Sequence, residues 1–370
     1  MKQIRIGIVG CGAIAQIQHL PNLRALSDAF RLAAVCDVSG GLVRQMAAQY
    51  DVEDTFTDID EMLAGANLDA VLLCQTDPKI DAARKVLAAG KHLFIEKPVA
   101  FVPEDVDELV EAANHNRVVA QAGYMKIFDP AFQLLETEVE SLRASIRFVQ
   151  INHLHTNNAH HLAAYDLVRP TDLFDGSSDA QPNASSHAAA RLQQVREADA
   201  LRAIGEVSPG SRRAFFHLAG SMIHDLYGLR HLFGPPDQVA STEVWNGGLG
   251  ITTVLRWNDG PRCAATWVEL ERIRHFRETL EIYSGDRGVI LSYPTGFSRG
   301  MLSEVTLRAV DDTGSPYQLR PGIDWESPFV AELRHFHACI TQNEVCRTPL
   351  AEARHDVQLV VDITRAGLKS

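Results

Sequence analysis

At 370 residues, with 46% hydrophobic and 22% charged residues, the chain is long enough for two packed domains of ordinary soluble composition. A net charge of −12 argues against general affinity for nucleic acid or anionic membrane, whose phosphates an acidic surface repels, and is indifferent to a small neutral substrate. No apolar run approaches the ~20 residues of a bilayer span, "MKQIRIGIVG" enters a strand with no signal-peptide pattern, and the six cysteines (11, 36, 74, 263, 339, 346) show neither paired-thiol nor zinc-finger spacing, so a cytoplasmic protein with buried reduced thiols is expected.

The first 125 residues alternate apolar strand runs with helical periods. "IRIGIVG" (4–10), "RLAAVCD" (31–37), "DAVLLCQ" (69–75), "HLFIEKP" (92–98) and "RVVAQAGYM" (117–125) are predicted to be buried strands. Between them lie helical patterns such as "DPKIDAARKVLAAGKH", which opens at a turn-forming Asp-Pro and stops at Gly90. This alternation predicts an α/β domain over 1–125, a doubly wound parallel sheet covered on both faces.

The first strand runs into Gly10-x-Gly12-x-x-Ala15 and then a helix. Gly10 permits a tight turn, Gly12 lets the backbone approach a pyrophosphate, and Ala15 allows close helix–strand packing. The helix start, with Ala13 and Ile14, contributes N–H groups and positive dipole. "VCDV" puts Asp37 at the end of the second predicted strand. A carboxylate there accepts both adenine-ribose hydroxyls and repels a 2′-phosphate, so NAD is expected in preference to NADP. The bland alternative is a glycine turn beside a capping aspartate; two signals in the right context favour the cofactor.

After Pro130 the rhythm changes. The helical pattern "PAFQLLETEVESL" precedes the strand "ASIRFVQINHLH"; a polar stretch follows, then the helical "AAARLQQVREADALRAIG". Residues from about 239 to 310 are strand-like, with turns at "NGG", "NDG", "SGDRG" and "DDTG", and the chain closes in helical patterns. Strands followed by helices predict an α+β second domain over 126–370 with a large, mostly antiparallel sheet. Within it, 152–216 is an unusual insertion, expected to form a lid or an oligomer arm.

"AAGKHLFIEKP", "AGYMKIFDPAF" and the glycine loop together resemble the glucose–fructose oxidoreductase and inositol dehydrogenase family. The resemblance covers the first 135 residues and returns at 220–234 and 285–290. It implies a Rossmann domain and a second domain, with a carbohydrate or cyclitol lying between the nicotinamide and the second sheet. Lys97, in Glu96-Lys97-Pro98, would then orient the reacting oxygen and stabilise developing alkoxide charge; the alternative is a surface lysine paired with Glu96. Cys74, Gln75 and Thr76 fall where the family contacts the cofactor, as do Glu96 and Lys97, although Cys74-Gln75 replaces the usual Thr-Pro and Lys79 stands where histidine is common. The Lys97–Pro98 peptide is often cis in the family. Homodimers or homotetramers are implied, built on open sheet faces, and "TTVLRW" and "CAATWVEL" offer an apolar pattern for such a face.

"GSMIHDLYGLRHLFG" (220–234) reads as an amphipathic helix, and the resemblance makes His224 the base that takes the hydroxyl proton. An aspartate four residues earlier usually supports that histidine; here the position is Gly220, and Asp225, about 100° around the helix, does not replace it. Three readings stay open. His224 is the base with Lys97 or an acid of the insertion in support, Asp172 and Asp175 being candidates; or the protein is a non-catalytic NAD- and sugar-binding regulator; or it retains NAD for a transient oxidation within a lyase or glycosidase cycle. The first is preferred over these and over a core histidine bonded to backbone. Tyr124, Lys126 and His155 join His224 as candidate substrate-pocket residues. His153, His155, His160 and His161 include a His-x-His on one side of a strand, but no ligand spacing is completed and no metal is expected.

Overall fold

A computed structural model describes residues 2–170 and 184–368, the side chains of 184–189 set aside. The chain divides into two compact units. One comprises Met1–Gly123, Tyr165–Ala203 and Glu332–Val357; the other comprises Tyr124–Ala164, Ile204–Ala331 and Gln358–Ser370. No helix among the described residues is long and apolar enough to cross a membrane.

The first unit holds six strands: β1 (Ile4–Val9), β2 (Phe30–Cys36), β3 (Asp54–Phe56), β4 (Ala70–Leu73), β5 (His92–Glu96) and β6 (Ala120–Gly123). They lie in the order β3-β2-β1-β4-β5-β6, every pair parallel. This is the doubly wound sheet that the alternation implied. All four residues of β4 are buried, as expected of a strand covered on both faces. Strand β3 was not legible: three residues at a sheet edge carry no periodicity. The order reverses between β1 and β4, which opens a crevice at their carboxyl ends.

The division at 125/126 assigned every later residue to the second domain. The structure instead returns Glu332–Val357 to the first unit. There Thr348 exchanges hydrogen bonds with Ala122 (N–H of Ala122 to the Thr348 carbonyl, 2.8 Å; Thr348 hydroxyl to the Ala122 carbonyl, 2.8 Å), and Phe336 meets Phe94 edge to face. An amphipathic helix shows which of its faces is buried but not which sheet covers it. Part of the 152–216 insertion, Tyr165–Ala203, also belongs to this unit; Arg202 at the end of the helix Ala184–Ile204 pairs with Asp105 at 2.9 Å.

The second unit is built on an eight-stranded sheet: β7 (Phe148–Thr156), β8 (Gln238–Trp245), β9 (Gly250–Arg256), β10 (Arg262–Leu270), β11 (Arg277–Tyr283), β12 (Gly288–Tyr293), β13 (Glu304–Val310) and β14 (Pro316–Leu319). The order is β14-β13-β12-β11-β7-β10-β9-β8, antiparallel except between β7 and β10. One face, with Val149, Ile151, Ile251, Leu255, Cys263 and Trp267, is buried. The helix Pro130–Leu142 packs against β12 and β13. The apolar pattern of β9 and β10 is therefore core alternation and needs no partner subunit, a correction to the reading of those strands. The opposite face carries a polar chain: Asn152 donates to Thr279 (3.2 Å) and Glu281 (3.1 Å), and the Tyr283 hydroxyl donates to Glu281 (2.6 Å).

Candidate functional site

In the first unit the glycine loop links β1 to the following helical turns. Gly10 has φ of 90°, and a Cβ there would stand 2.3 Å from the Gln75 amide nitrogen, so only glycine fits. Its carbonyl accepts the Cys74 thiol at 2.9 Å, which turns that side chain into the loop. A Cβ on Gly12 would meet nothing within 4 Å, so its backbone borders open space. Beyond it the side-chain oxygen of Gln75 is buried with no hydrogen-bond partner. An open approach to the Gly12 backbone fits a dinucleotide's pyrophosphate, while the Gln75 oxygen, an acceptor, suits a hydroxyl or amide donor of such a cofactor. Ala13 and Ile14 open a helical segment that passes through a π-turn at Ala15–His19 into the helix Leu20–Ala25.

Asp37 follows β2, and its two carboxylate oxygens accept the N–H groups of Cys11 (2.8 Å) and Ser39 (2.9 Å). The capping role weighed as an alternative is thus present, and each oxygen keeps a lone pair. Gln16 was not singled out in the sequence. Its amide donates to the carbonyls of Cys11 (2.8 Å) and Val168 (3.0 Å), while its oxygen accepts the Val168 N–H (2.9 Å). The start of the Tyr165–Ala203 segment is thereby strapped to the glycine loop.

Lys97 closes β5, half-exposed, and its peptide to Pro98 is cis, as is Asp77–Pro78. Glu96 has an imidazole partner. It is buried, and its carboxylate bonds His19 Nε2 at 2.7 Å. Burial pushes that carboxyl up, but His19, then Lys97 and Lys79, hold it below the ordinary range. Lys79 is itself buried; its ammonium pairs with Asp77 and reaches the carbonyls of Lys97 and Pro98, each at 3.4 Å. Thr76 is exposed.

In the second unit His224 stands on the helix Ile223–Phe233, immediately after a π-turn at Leu218–Met222. That turn adds a residue, which rotates the stripe drawn through Gly220 for a continuous α-helix but leaves Gly220 on the turn before His224; a Cβ on Gly220 would meet nothing within 4 Å. His224 is half-exposed, with Nδ1 3.0 Å from the Tyr227 hydroxyl. Tyr227 stacks on Tyr124 at 4.0 Å between ring centres, and both are buried. The i,i+3 spacing of His224 and Tyr227 was the available signal for this pair.

Lys126, expected at a substrate pocket, is 2% exposed: its ammonium pairs with Glu278 and lies 4.1 Å from the centre of the Tyr293 ring. Tyr124, 1% exposed, is likewise an internal residue. Asp225 points away from His224 to the sheet, where its carboxylate meets His153 Nδ1 at 2.7 Å. On the other side of that ring, Nε2 is 3.2 Å from the Ser221 hydroxyl and 3.4 Å from His155 Nδ1, and the Trp267 indole donates to Ser221 at 2.9 Å. His155 and His217 both stack on Trp267.

Ligand-type atoms of His153, Asp225 and Glu278 lie within 4.8 Å of one another. The Lys126 ammonium already supplies the cation there. Burial and the neighbouring Asp225 push the Glu278 carboxyl up to about 7, against the pull of Lys126 and His153. Burial would raise Asp225 too, but His153 holds it below the ordinary range. Asp172 and Asp175 lie outside the described residues.

Residues 4–124 match the model of an oxidoreductase family with an NAD-binding Rossmann fold. Over 139 residues the chain is 34% identical to myo-inositol 2-dehydrogenase of Thermotoga maritima, covering 37% of this chain and 41% of that protein. Over 156 residues it is 32% identical to inositol 2-dehydrogenase/D-chiro-inositol 3-dehydrogenase of Shouchella clausii, covering 40% and 45%. The matched segments thus span under half of those relatives. Among solved structures, UDP-N-acetylglucosamine 3-dehydrogenase from Acidithiobacillus ferrooxidans superposes with a TM-score of 0.72 at 18% identity over 100% of both chains. Scyllo-inositol dehydrogenase from Lactobacillus casei does so with 0.68 at 18% identity, over 100% of this chain and 98% of that one. At such identities the likeness is one of fold, and it extends to both units.

Proposed function

We propose, from the match of residues 4–124 to an oxidoreductase family with an NAD-binding Rossmann fold, that the chain is an NAD-dependent oxidoreductase acting on a secondary hydroxyl or keto group of a sugar, sugar derivative or cyclitol. The observation that carries the reading is the glycine loop at the switch point of the parallel sheet, closed against Gln75 and open at Gly12. Gly10, Gly12, Ala13, Ile14 and the Gln75-Thr76 segment hold the cofactor, and Asp37 accepts the ribose hydroxyls, which selects NAD over NADP. When bound, NAD supplies the hydride acceptor.

The chain's own residues manage the proton and the oxygen. Lys97 brings an ammonium on a backbone that Lys79 braces from below, and it polarises the reacting oxygen. His224 takes the hydroxyl proton, oriented by Tyr227 in place of the usual carboxylate. His155 faces substrate, while Lys126 and Tyr124 act from behind, holding Glu278 and Tyr227.

Purified protein supplied with NAD and a panel of polyols and cyclitols is expected to form reduced nicotinamide. Lys97→Ala and His224→Ala should each lower kcat by about 10²–10⁴-fold with NAD affinity little changed. An unaltered rate in both variants overturns the assignment. Association into a dimer or tetramer through the half-exposed sheet face belongs to the same reading and is read by light scattering.

A second reading draws support from the Ser221–His153–Asp225 chain, which supplies acid–base groups beyond the one that simple dehydrogenation requires. A lyase or glycosidase with transient oxidation needs such a second set. It would release product from a glycoside without net reduced nicotinamide.

A further inference from the structure

Cysteines 339 and 346 are seven residues apart in a pattern that marks no known spacing, yet the fold brings them together. Cys339 lies one turn after His335 on the helix Pro328–Gln342, and Cys346 stands in the loop that follows. Their sulfurs and a ring nitrogen of His335 lie within 4.8 Å of one another, and His335 Nε2 is 3.3 Å from the Cys339 sulfur. Cys346 alone of the six cysteines is not buried, and its neighbour Val345 is 86% exposed.

We propose that Cys346 and Cys339 form a peroxide-responsive dithiol, in which Cys346 attacks the oxidant and Cys339 resolves the product into a disulfide. The Cys346 thiolate attacks one oxygen of hydrogen peroxide and the O–O bond breaks. Sulfur is oxidised to a sulfenic acid, and the second oxygen leaves as hydroxide, protonated to water. The Cys339 sulfur then attacks the sulfenic sulfur; the S–O bond breaks, and hydroxide departs with the Cys339 proton as water. Two thiols and one peroxide give one disulfide and two waters.

The roles follow from the surroundings. The Cys346 thiol is held below the ordinary cysteine range by its hydrogen bond from Cys339 and by the backbone N–H of Thr348, against the opposing effect of burial. Cys339 is pushed up by the same bond and by burial, so it holds its proton until a sulfenic acid forms beside it. Cys11, Cys36, Cys74 and Cys263 are buried and raised by desolvation, which leaves them unreactive. The same three side chains have the composition of a zinc site, but the imidazole lone pair that zinc needs is already used. His335 Nε2 accepts the Arg347 N–H at 2.9 Å. Glu344 lies 3.2 Å from His335 Nδ1 and fixes the tautomer in which Nε2 accepts.

The disulfide would staple the end of the helix to a loop that is itself bonded to β6 through Thr348 and Ala122. The test begins with the reduced wild-type protein, treated with a few equivalents of hydrogen peroxide and read by intact mass and peptide mapping. A loss of about 2 Da, mapped to a Cys339–Cys346 linkage, is expected. In Cys339→Ser the sulfenic acid should persist at Cys346 and be captured by dimedone. In Cys346→Ser no linkage should form, and oxidation at Cys339 should slow by about tenfold or more. The proposal is overturned if peroxide leaves the two residues unlinked in folded wild-type protein, or if iodoacetamide modifies Cys346 no faster than the buried cysteines. Stoichiometric zinc in the purified protein, protecting both thiols from alkylation, overturns it in favour of a metal site.

Discussion

His153 Nδ1 and the Asp225 carboxylate meet at 2.7 Å with both side chains almost wholly inside the second unit. Asp225 is thereby tied to strand β7 and kept off the face of its helix that carries His224. Removing one member of a buried pair leaves the other without its partner. Asp225→Ala is expected to cost about 3–5 kcal/mol in urea-induced unfolding. A loss below about 1 kcal/mol, as for an exposed pair, contradicts the burial assigned to this contact.

Glu278 sets a pH dependence of opposite sign to Asp225. Its folded-state value of about 7 lies above the ordinary 4.5, so the folded protein holds a proton that the unfolded chain releases in that interval. The contribution of Glu278 is therefore complete below 4.5 and declines as pH rises toward 7. Asp225, held below its ordinary 3.8, contributes above that value and loses its contribution as pH falls below it. Unfolding free energies measured across this range should fall with rising pH in the wild type, and Glu278→Gln should flatten the decline.

Much of this was legible in the chain, and the remainder was hidden for identifiable reasons. Strand–helix alternation and the Gly10-x-Gly12-x-x-Ala15 loop foretold the parallel sheet because both are local patterns. The turn of Asp225 toward His153, 72 positions away, is a product of sheet packing and leaves no local mark. Lys126 is a candidate pocket residue in the sequence, and nothing local marks its burial; its partner Glu278, on β11, lies far along the chain. The π-turn at Leu218–Met222 misled the helix stripe for the same reason: a helical period assumes a constant turn.

The Gln16–Val168 bonds predict a local effect on cofactor retention. Gln16 ties Val168 to the loop carbonyl of Cys11 through three hydrogen bonds. Gln16→Ala removes all three, and at about 0.5–1.5 kcal/mol per bond the strap should loosen. NAD dissociation measured by stopped-flow fluorescence is expected to accelerate by about tenfold, with the melting temperature changed by a few degrees at most. An unchanged dissociation rate would show that the strap does not guard the loop.

Tyr227 and Gly220 give the sharpest test of how His224 is supported. The Tyr227 hydroxyl is 3.0 Å from His224 Nδ1, and its ring is fixed by stacking on Tyr124. Tyr227→Phe keeps the stacking and removes the hydroxyl, so turnover should fall by about tenfold while NAD affinity stays constant. Gly220 has open space where a Cβ would go, so Gly220→Ala should fit and stabilise the helical segment by about 0.5–1 kcal/mol. Gly220→Asp places a carboxylate on the turn before His224, in the position from which an acid would orient the imidazole. Combined with Tyr227→Phe it should restore much of the lost turnover, whereas in the wild-type background it should change little. Additive effects in the double variant would mean that the hydroxyl and the introduced carboxylate do not serve the same ring nitrogen. Tyr227 would then be a packing residue, and the support of His224 would have to come from elsewhere.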